Sequence, residues 1–296
     1  HPGARKSGMT RPMKPFQRLA GYWIVPRHAN PEKLAAAQAA VAGLKPAVVV
    51  TGASRGIGYA LAEHFAKEGH DVALVARTPS DLDAAAGRIR SRATKAGVLT
   101  LPLDITQADT AAILDERLRA AGYYVDVLVN NAGIGIAGQF AQSEPAALER
   151  LVALNATAPT VLMARFLPEM LARQRGGVLN VGSLGGAVPG PGQAAYYASK
   201  AYLQSLSEAA AAECAGTGVR ITTLLPGPVD TSFHASMGAQ SSLYRQLLPA
   251  LSPERAARAG YWGFRIGQRV VVPGVFNKVL YVAIRVLPHP LTVPFV

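Results

Sequence analysis

The sequence predicts an α/β fold, a doubly wound and mostly parallel seven-stranded sheet with helices on both faces, built as a single domain. Three observations predict it. Short β-branched runs alternate with helical patterns from about residue 46 onward. The first of these runs feeds a glycine-rich turn that opens directly into a helix. The chain has 296 residues, 50% hydrophobic and 16% charged, so it can bury a large core and is too apolar for disorder.

The formal charge of +12 is carried by the ends. Residues 1–45 hold eight Lys/Arg against Glu32, and residues 255–296 hold six Lys/Arg and no acid. The stretch between them is nearly neutral. That distribution argues against a basic nucleic-acid recognition face and no such motif appears, so no nucleic acid is expected. It suits either solvated termini or peripheral contact of the basic ends with an anionic partner or membrane. Cys214 is the single cysteine, which excludes an internal disulfide and fits a reducing, cytoplasmic setting. No run approaches the ~18 apolar residues of a spanning helix, and the six histidines show no metal-ligand spacing.

Residues 1–26 are basic and acid-free, with an apolar patch at 16–25; the first residue is not methionine, and Met9 is a candidate start. Asn30-Pro31 then begins an alanine-rich helix with cap and first-turn proline in the favoured order. Val48-Val49-Val50 reads as a buried strand. It leads into Thr51-Gly52-Ala53-Ser54-Arg55-Gly56-Ile57-Gly58 and a helix to Glu68. Backbone N–H groups at such a helix start can cradle a pyrophosphate, and glycines keep Cβ atoms out of its way. A purely structural turn is the plainer alternative.

The second strand, Val72–Ala76, ends at Arg77 where an NAD-selective site usually carries an acid. Arg55 and Arg77 suit a 2′-phosphate, which points to NADP(H); otherwise they are two surface arginines. Ser80 is expected to cap a helix from 81 to about 95. Val98–Leu103 is the third strand, ending at Asp104, which suits an adenine amino group or a turn. A helix from Thr106 or Asp109 reaches about Ala121. Val125–Val129 is the fourth strand, followed by Asn130-Asn131-Ala132-Gly133. Ligands in such sheets bind at the carboxyl ends of the strands, where Gly52, Asp104 and Asn130 fall.

A helix from near Ser143 to about Ala153 precedes a long one through Arg173. Pro159 collides with the carbonyl of Asn155 and offers it no N–H, so a kink with a liberated carbonyl is expected there, able to hold a water. Val178–Val181 is the fifth strand and runs into Ser183. The next helix carries Tyr196 and Lys200 four residues apart, on one face. A neighbouring cation lowers a phenol's pKa from ~10 toward the operating range, and Ser183 could donate to a substrate oxygen from the loop. After a sixth strand, Arg220–Leu225, the segment Pro226-Gly227-Pro228-Val229-Asp230-Thr231 turns back over the site. Apolar residues 232–252 read as a substrate lid or an oligomer contact. A helix starting at Ser252-Pro253-Glu254, a short strand at Arg269–Val272 and an amphipathic helix near 275–287 follow. On that last helix Phe276, Val279, Leu280, Ala283 and Leu287 share one face, opposite Asn277, Lys278, Tyr281 and Arg285. Such a helix docks on the body, on a partner subunit or on a membrane surface.

Together the pieces resemble the single-domain short-chain dehydrogenases/reductases, over roughly residues 46–275. The family's TGxxxGxG is matched at Thr51–Gly58, its NNAG at Asn130–Gly133 and its YxxxK at Tyr196–Lys200. The catalytic Asn and Ser match Asn155 and Ser183, 28 and 13 residues before the next member of the set. The chain also looks like ketoacyl-reductase-like bacterial members with extended C-termini. The resemblance implies a Rossmann sheet binding NADP(H), held by Gly52, Ser54, Arg55, Gly56, Ile57, Gly58, Arg77, Asp104, Ile105, Asn131, Ala132, Gly133, Pro226, Gly227, Val229 and Thr231, along with Tyr196 and Lys200. It implies Tyr196 as general acid/base, Lys200 holding the nicotinamide ribose and lowering the tyrosine pKa, Ser183 polarising the carbonyl, and Asn155 fixing a relay water. Tyr197 is expected to face elsewhere on its helix.

The expected organisation is a basic N-terminal extension with one helix (1–45), a catalytic domain (46–275) and an amphipathic C-terminal extension (276–296). The expected function is NADPH-dependent interconversion of a ketone and a secondary alcohol on an apolar substrate, by a homodimer or homotetramer. Two alternatives stand beside it. One is a membrane-associated long-chain 3-oxoacyl reductase or steroid/retinoid-type dehydrogenase. The other is a catalytically silent NADP(H)-binding scaffold.

Overall fold

The structure is a computed structural model and describes residues 30–230 and 250–293. The expected readings at residues 1–29, at Thr231, across most of the lid and at the last three residues lie outside the described residues.

Strands β1 (Lys45–Thr51), β2 (Asp71–Ala76), β3 (Val98–Pro102), β4 (Tyr123–Asn130), β5 (Gly177–Val181), β6 (Arg220–Leu224) and β7 (Val270–Val271) form one seven-stranded sheet, in the order β3-β2-β1-β4-β5-β6-β7. Every neighbouring pair is parallel. Successive residues of a strand serve opposite faces, which is why these strands read as continuous apolar runs. Val48 and Val50 join a core with Phe65, Leu82 and Tyr261, whereas Val49 joins one with Leu114, Phe166 and Met170. The first core belongs to helices α2 (Gly56–Lys67), α3 (Pro79–Arg92) and α8 (Pro253–Arg265), and the second to α4 (Thr110–Ala120), α6 (Ala158–Arg173) and α7 (Ala194–Glu213). The chain order reverses between β1 and β4, and the crevice outside their carboxyl ends is where this topology places a ligand.

Helix α1 (Pro31–Ala39) starts as expected: Asn30 Oδ1 accepts the N–H groups of Glu32 at 2.9 Å and Lys33 at 3.4 Å. It packs against α6. Ser252 likewise caps α8, its Oγ accepting Arg255 N–H at 3.2 Å. Ser80, however, does not cap α3. That helix begins two residues earlier than expected, at Pro79, with Thr78 at the cap position, because the fixed φ of proline suits the first turn of a helix.

The two helices expected on either side of Ala153 are one. Helix α5 (Pro145–Val152) passes through a π-helical turn, Ala153–Thr157, into α6, and Ala158 N–H donates to Ala153 O five residues back. The disturbance expected from Pro159 therefore takes the form of a widened turn, a feature frequent at functional sites. This continuous helix, Pro145–Arg173, is long and apolar enough by length and composition to cross a membrane. Its Leu162, Met163, Phe166 and Met170 are buried in the core against the sheet.

Helix α9 (Val275–Val286) corrects the face expected of it. Asn277, assigned to the polar side, is buried, as is Ile284, while Phe276 and Val279 are exposed. Extended backbone at Leu287 ends α9, and Pro288 precedes the short α10 (His289–Thr292).

Candidate active site

The carboxyl ends of β1 and β4 are stitched together by one hydroxyl and one amide. Thr51 Oγ1 accepts the backbone N–H groups of Asn131 at 3.0 Å and Ala132 at 3.1 Å. Asn131 Nδ2 donates to the carbonyls of Thr51 at 2.9 Å and Gly52 at 3.2 Å. These bonds seat the two loops so closely that a Cβ on Gly58 would lie 2.3 Å from Asn131 Nδ2. Gly52 has φ +64°, and a Cβ there would lie 2.9 Å from Ala132 Cα, so position 52 demands glycine on both counts. The sequence motif thus marks a backbone packing requirement as well as a ligand cradle. Asn131 Nδ2 serves the protein's own carbonyls, and Thr51 is a bridging residue that the sequence reading left without a role.

A cavity of about 520 Å³ opens beside this junction. Among the expected residues it is lined by Gly52, Ser54, Arg55, Gly56, Ile57, Arg77, Asp104, Ile105, Asn131, Ala132, Gly133, Ser183, Tyr196, Lys200, Pro226, Gly227 and Val229. Gly58 and Asn155 are not among the lining residues. The N-terminus of α2 opens on this cavity, and the cap residue Arg55 supplies no side-chain acceptor to its first N–H groups. Arg55 and Arg77 are both exposed. Asp104 folds back on its own loop: Oδ1 accepts Thr106 N–H at 3.0 Å and Thr106 Oγ1–H at 2.7 Å. The backbone bond from Thr106, opposed in part by burial, holds this carboxyl below its usual range, and the Arg77 charge adds to the lowering.

The chemistry-bearing end of the cavity lies between β5 and α7. Ser183, just past β5, accepts Gly185 N–H on its Oγ at 3.1 Å. Its hydroxyl is also hydrogen-bonded to that of Tyr196, a contact that favours the phenolate. Burial works the other way and more strongly, pushing the Tyr196 phenol up to about 12. Lys200 Nζ donates to Val181 O at 2.9 Å and lies 5.9 Å from the centre of the Tyr196 ring. Burial brings Lys200 down to about 8. Burial is the larger influence on the Tyr196 phenol, and the Ser183 hydroxyl is the group that opposes it. Lys200, still charged below about 8, is held to the end of β5 through Val181 O.

Asn155 is 1% exposed and fully engaged. Its Oδ1 accepts Ile134 N–H at 2.9 Å, while Nδ2 donates to Ile134 O at 2.8 Å and Ser199 Oγ at 3.1 Å. Ser199 in turn donates to Tyr196 O at 2.7 Å. The side chain brackets the loop after β4 to the start of α7. Both Nδ2 hydrogens are spent on protein partners, so the expected water-holding role gains nothing from the side chain.

Tyr197 also departs from expectation. It lines the same cavity as Tyr196, the two rings meeting edge to face with centroids 5.9 Å apart. Its ring packs against Gly185 and Gly190, where a Cβ would come within 3.0 and 2.4 Å. Ile134, Arg150, Leu154 and Gln193 also line the cavity and were not anticipated. Asn277 of α9 reaches this region too, since a Cβ on Gly227 would lie 2.5 Å from its Oδ1.

A parallel sheet with this strand order, a glycine turn at its switch point and a Ser–Tyr–Lys cluster with buried Tyr196 and Lys200 beside it defines a Rossmann-type oxidoreductase. The short chain dehydrogenase family model matches residues 46–242, and the chain belongs to that family, whose members act on CH–OH groups. It is 34% identical over 197 residues to an uncharacterized oxidoreductase of Staphylococcus saprophyticus, a match covering 66% of this chain and 84% of that one. The chain spans 60–61% of the length of the next relatives it matches. Among solved structures it is similar to a short-chain dehydrogenase from Sphingobium yanoikuyae in complex with NADPH. That structure has a TM-score of 0.72 and 33% identity, over 81% of this chain and 92% of the other. It is also similar to the bulky-bulky ketone specific alcohol dehydrogenase from Comamonas testosteroni, with a TM-score of 0.66 and 30% identity over 80% and 92%.

Proposed function

We propose that the protein is an NADP(H)-dependent reductase of ketones, working on an apolar substrate with Tyr196 as the proton donor. The observation that carries this reading is the hydroxyl pair of buried Tyr196 and half-buried Ser183, in a cavity that also exposes a glycine turn and the arginines Arg55 and Arg77. The residues suit the dinucleotide: a helix start without a side-chain cap for the pyrophosphate, and exposed Arg55 and Arg77 for a 2′-phosphate. Ser54, Gly56, Ile57, Asp104, Ile105, Ala132, Gly133, Pro226, Gly227 and Val229 would complete its walls. When bound, the reduced nicotinamide supplies hydride to the carbonyl carbon.

The chain's own residues supply the rest. A phenol pushed up to about 12 is protonated at neutral pH, so Tyr196 has a proton to give to a developing alkoxide. Ser183 donates to the same oxygen and stabilises the charge forming on it. Lys200, protonated below about 8, offers a cation to the ribose side of the cavity. Asn155 keeps the loop after β4 and the start of α7 in register, a positioning role. The similarity to an NADPH complex and to a ketone-specific dehydrogenase supports the cofactor and substrate class. Ile134, Leu154, Val229 and Tyr197 in the lining support an apolar substrate.

A second reading, a long-chain 3-oxoacyl substrate, is favoured by Arg150, a cation in the same lining that suits an anionic carrier group. We also read residues 46–275 as the catalytic domain and the protein as a homo-oligomer. Val152, Val161 and Tyr202 form an exposed patch beside α7 that supports such an interface.

The test is consumption of NADPH against NADH across aliphatic, aryl, steroid and 3-oxoacyl thioester ketones. Preference for NADPH by about tenfold or more, with turnover of apolar ketones, is expected. Preference for NADH, or NADPH binding without turnover of any ketone, contradicts it.

A further inference from the structure

Helix α9 turns an apolar side outward. Val275, Phe276, Val279, Val282 and Val286 are 60–75% exposed, and at about 100° per residue they occupy one arc of the helix. The opposite arc is anchored. Asn277 is buried against Gly227 and donates to Pro273 O at 2.8 Å. Ile284 and Leu280 join the apolar cluster of Tyr196 and Tyr197. Lys278 and Arg285 lie along one edge between the two arcs. Arg285 donates to Tyr281 Oη at 2.7 Å and stands 3.7 Å from Glu208, with its side chain still 53% exposed. The helix is held by its inner side, and no described residue covers its outer one.

Three occupants compete for such a face: a second copy of the chain, the chain's own N-terminal segment, or a lipid surface. Charge separates them. Residues 255–296 carry six Lys/Arg and no Asp/Glu, and residues 1–29 also carry six and no acid. Pairing two α9 faces would set like charges together, and so would folding the N-terminal segment over one. An anionic headgroup layer complements both basic ends, and an apolar arc edged by Lys and Arg is the form of a helix lying in the plane of a membrane interface.

We propose that α9 docks on an anionic lipid surface, with the Val275/Phe276/Val279/Val282/Val286 row at the acyl boundary and Lys278 and Arg285 reaching the headgroups. Docking would place the Tyr196 cluster one helix away from the bilayer, next to a reservoir of apolar molecules. The binding itself does not depend on the reaction proposed above.

The test uses the full chain with Phe276→Cys, labelled by a polarity-sensitive fluorophore; Cys214, the native thiol, is buried. The probes are phosphatidylcholine vesicles with and without phosphatidylglycerol. The expected result is a blue shift on the anionic vesicles alone, reversed by high salt. Val279→Asp with Val282→Asp should weaken co-sedimentation by about tenfold or more, with the thermal melting curve confirming the fold. Equal binding to neutral and anionic vesicles, or no shift on either, overturns the proposal. A shift that appears without lipid and follows protein concentration, or that follows removal of residues 1–29, assigns the face to a second copy or to the N-terminal segment and overturns it equally.

Discussion

Tyr196 and Tyr197 stand side by side on α7, both buried, both lining one cavity, and burial pushes each phenol up to about 12. They differ in their company. Tyr196 has the Ser183 hydroxyl as hydrogen-bond partner and the Lys200 ammonium 5.9 Å from its ring. Tyr197 has the faces of Gly185 and Gly190, and among the described residues the charge that acts on its phenol is the repulsion of a Tyr196 phenolate. Burial alone makes a phenol a reluctant acid. A hydroxyl partner that stabilises the phenolate is what allows one of the two to release its proton. In the proposed mechanism Tyr196 therefore carries the chemistry and Tyr197 shapes the pocket.

The largest expected effect comes from removing the reactive hydroxyl. Tyr196→Phe should lower kcat about 10²–10⁴-fold while leaving NADPH affinity, read by fluorescence titration, within about threefold. Ser183→Ala comes next. It removes a donor to the developing alkoxide and should cost about 10²-fold in kcat, with a smaller change in KM; an unchanged kcat would detach Ser183 from the comparison.

Lys200 gives a pH-dependent effect. Free of anions it changes charge near about 8, so it is charged below that value and neutral above it. An anionic cofactor favours the charged form, and affinity should fall as pH rises through about 8. Between about 8 and the ordinary lysine value near ~10.4, binding should take up a fraction of a proton. Calorimetry in buffers of different ionisation enthalpy measures that uptake, and Lys200→Met should abolish it. The smallest effect is expected from Tyr197→Phe. The pocket keeps its ring, so kcat should change by less than about threefold, with any shift confined to KM for bulky ketones.

Some of this was readable from sequence because the physics is local. Gly52 must be glycine to sit at positive φ against Ala132, and Tyr196 and Lys200 must share a side because they are four apart on a helix. What was misread depends on surroundings. Tyr197 is turned by 100° from Tyr196, which looks like a different face until the loop carrying Gly185 and Gly190 wraps the cavity around both. Asn277 belongs to the polar arc of α9 by pattern, yet it faces the body together with Leu280 and Ile284, because its amide fits against Gly227. Hydrophobic periodicity locates an amphipathic helix but does not say which side the body takes. The balance of influences on the Tyr196 phenol has a related origin. Spacing shows that a cation is near a phenol, whereas the depth at which both are buried exists only in three dimensions.

The central claim is that the Tyr196 phenol holds its proton at neutral pH and is the one that delivers it. The most direct measurement is a pH titration of ring-labelled tyrosine by carbon NMR, with Tyr196→Phe and Tyr197→Phe assigning the two resonances. The account predicts that the Tyr196 signal stays in the phenol form past the ordinary tyrosine value of about 10. A Tyr196 phenolate already half formed at or below neutral pH would contradict it.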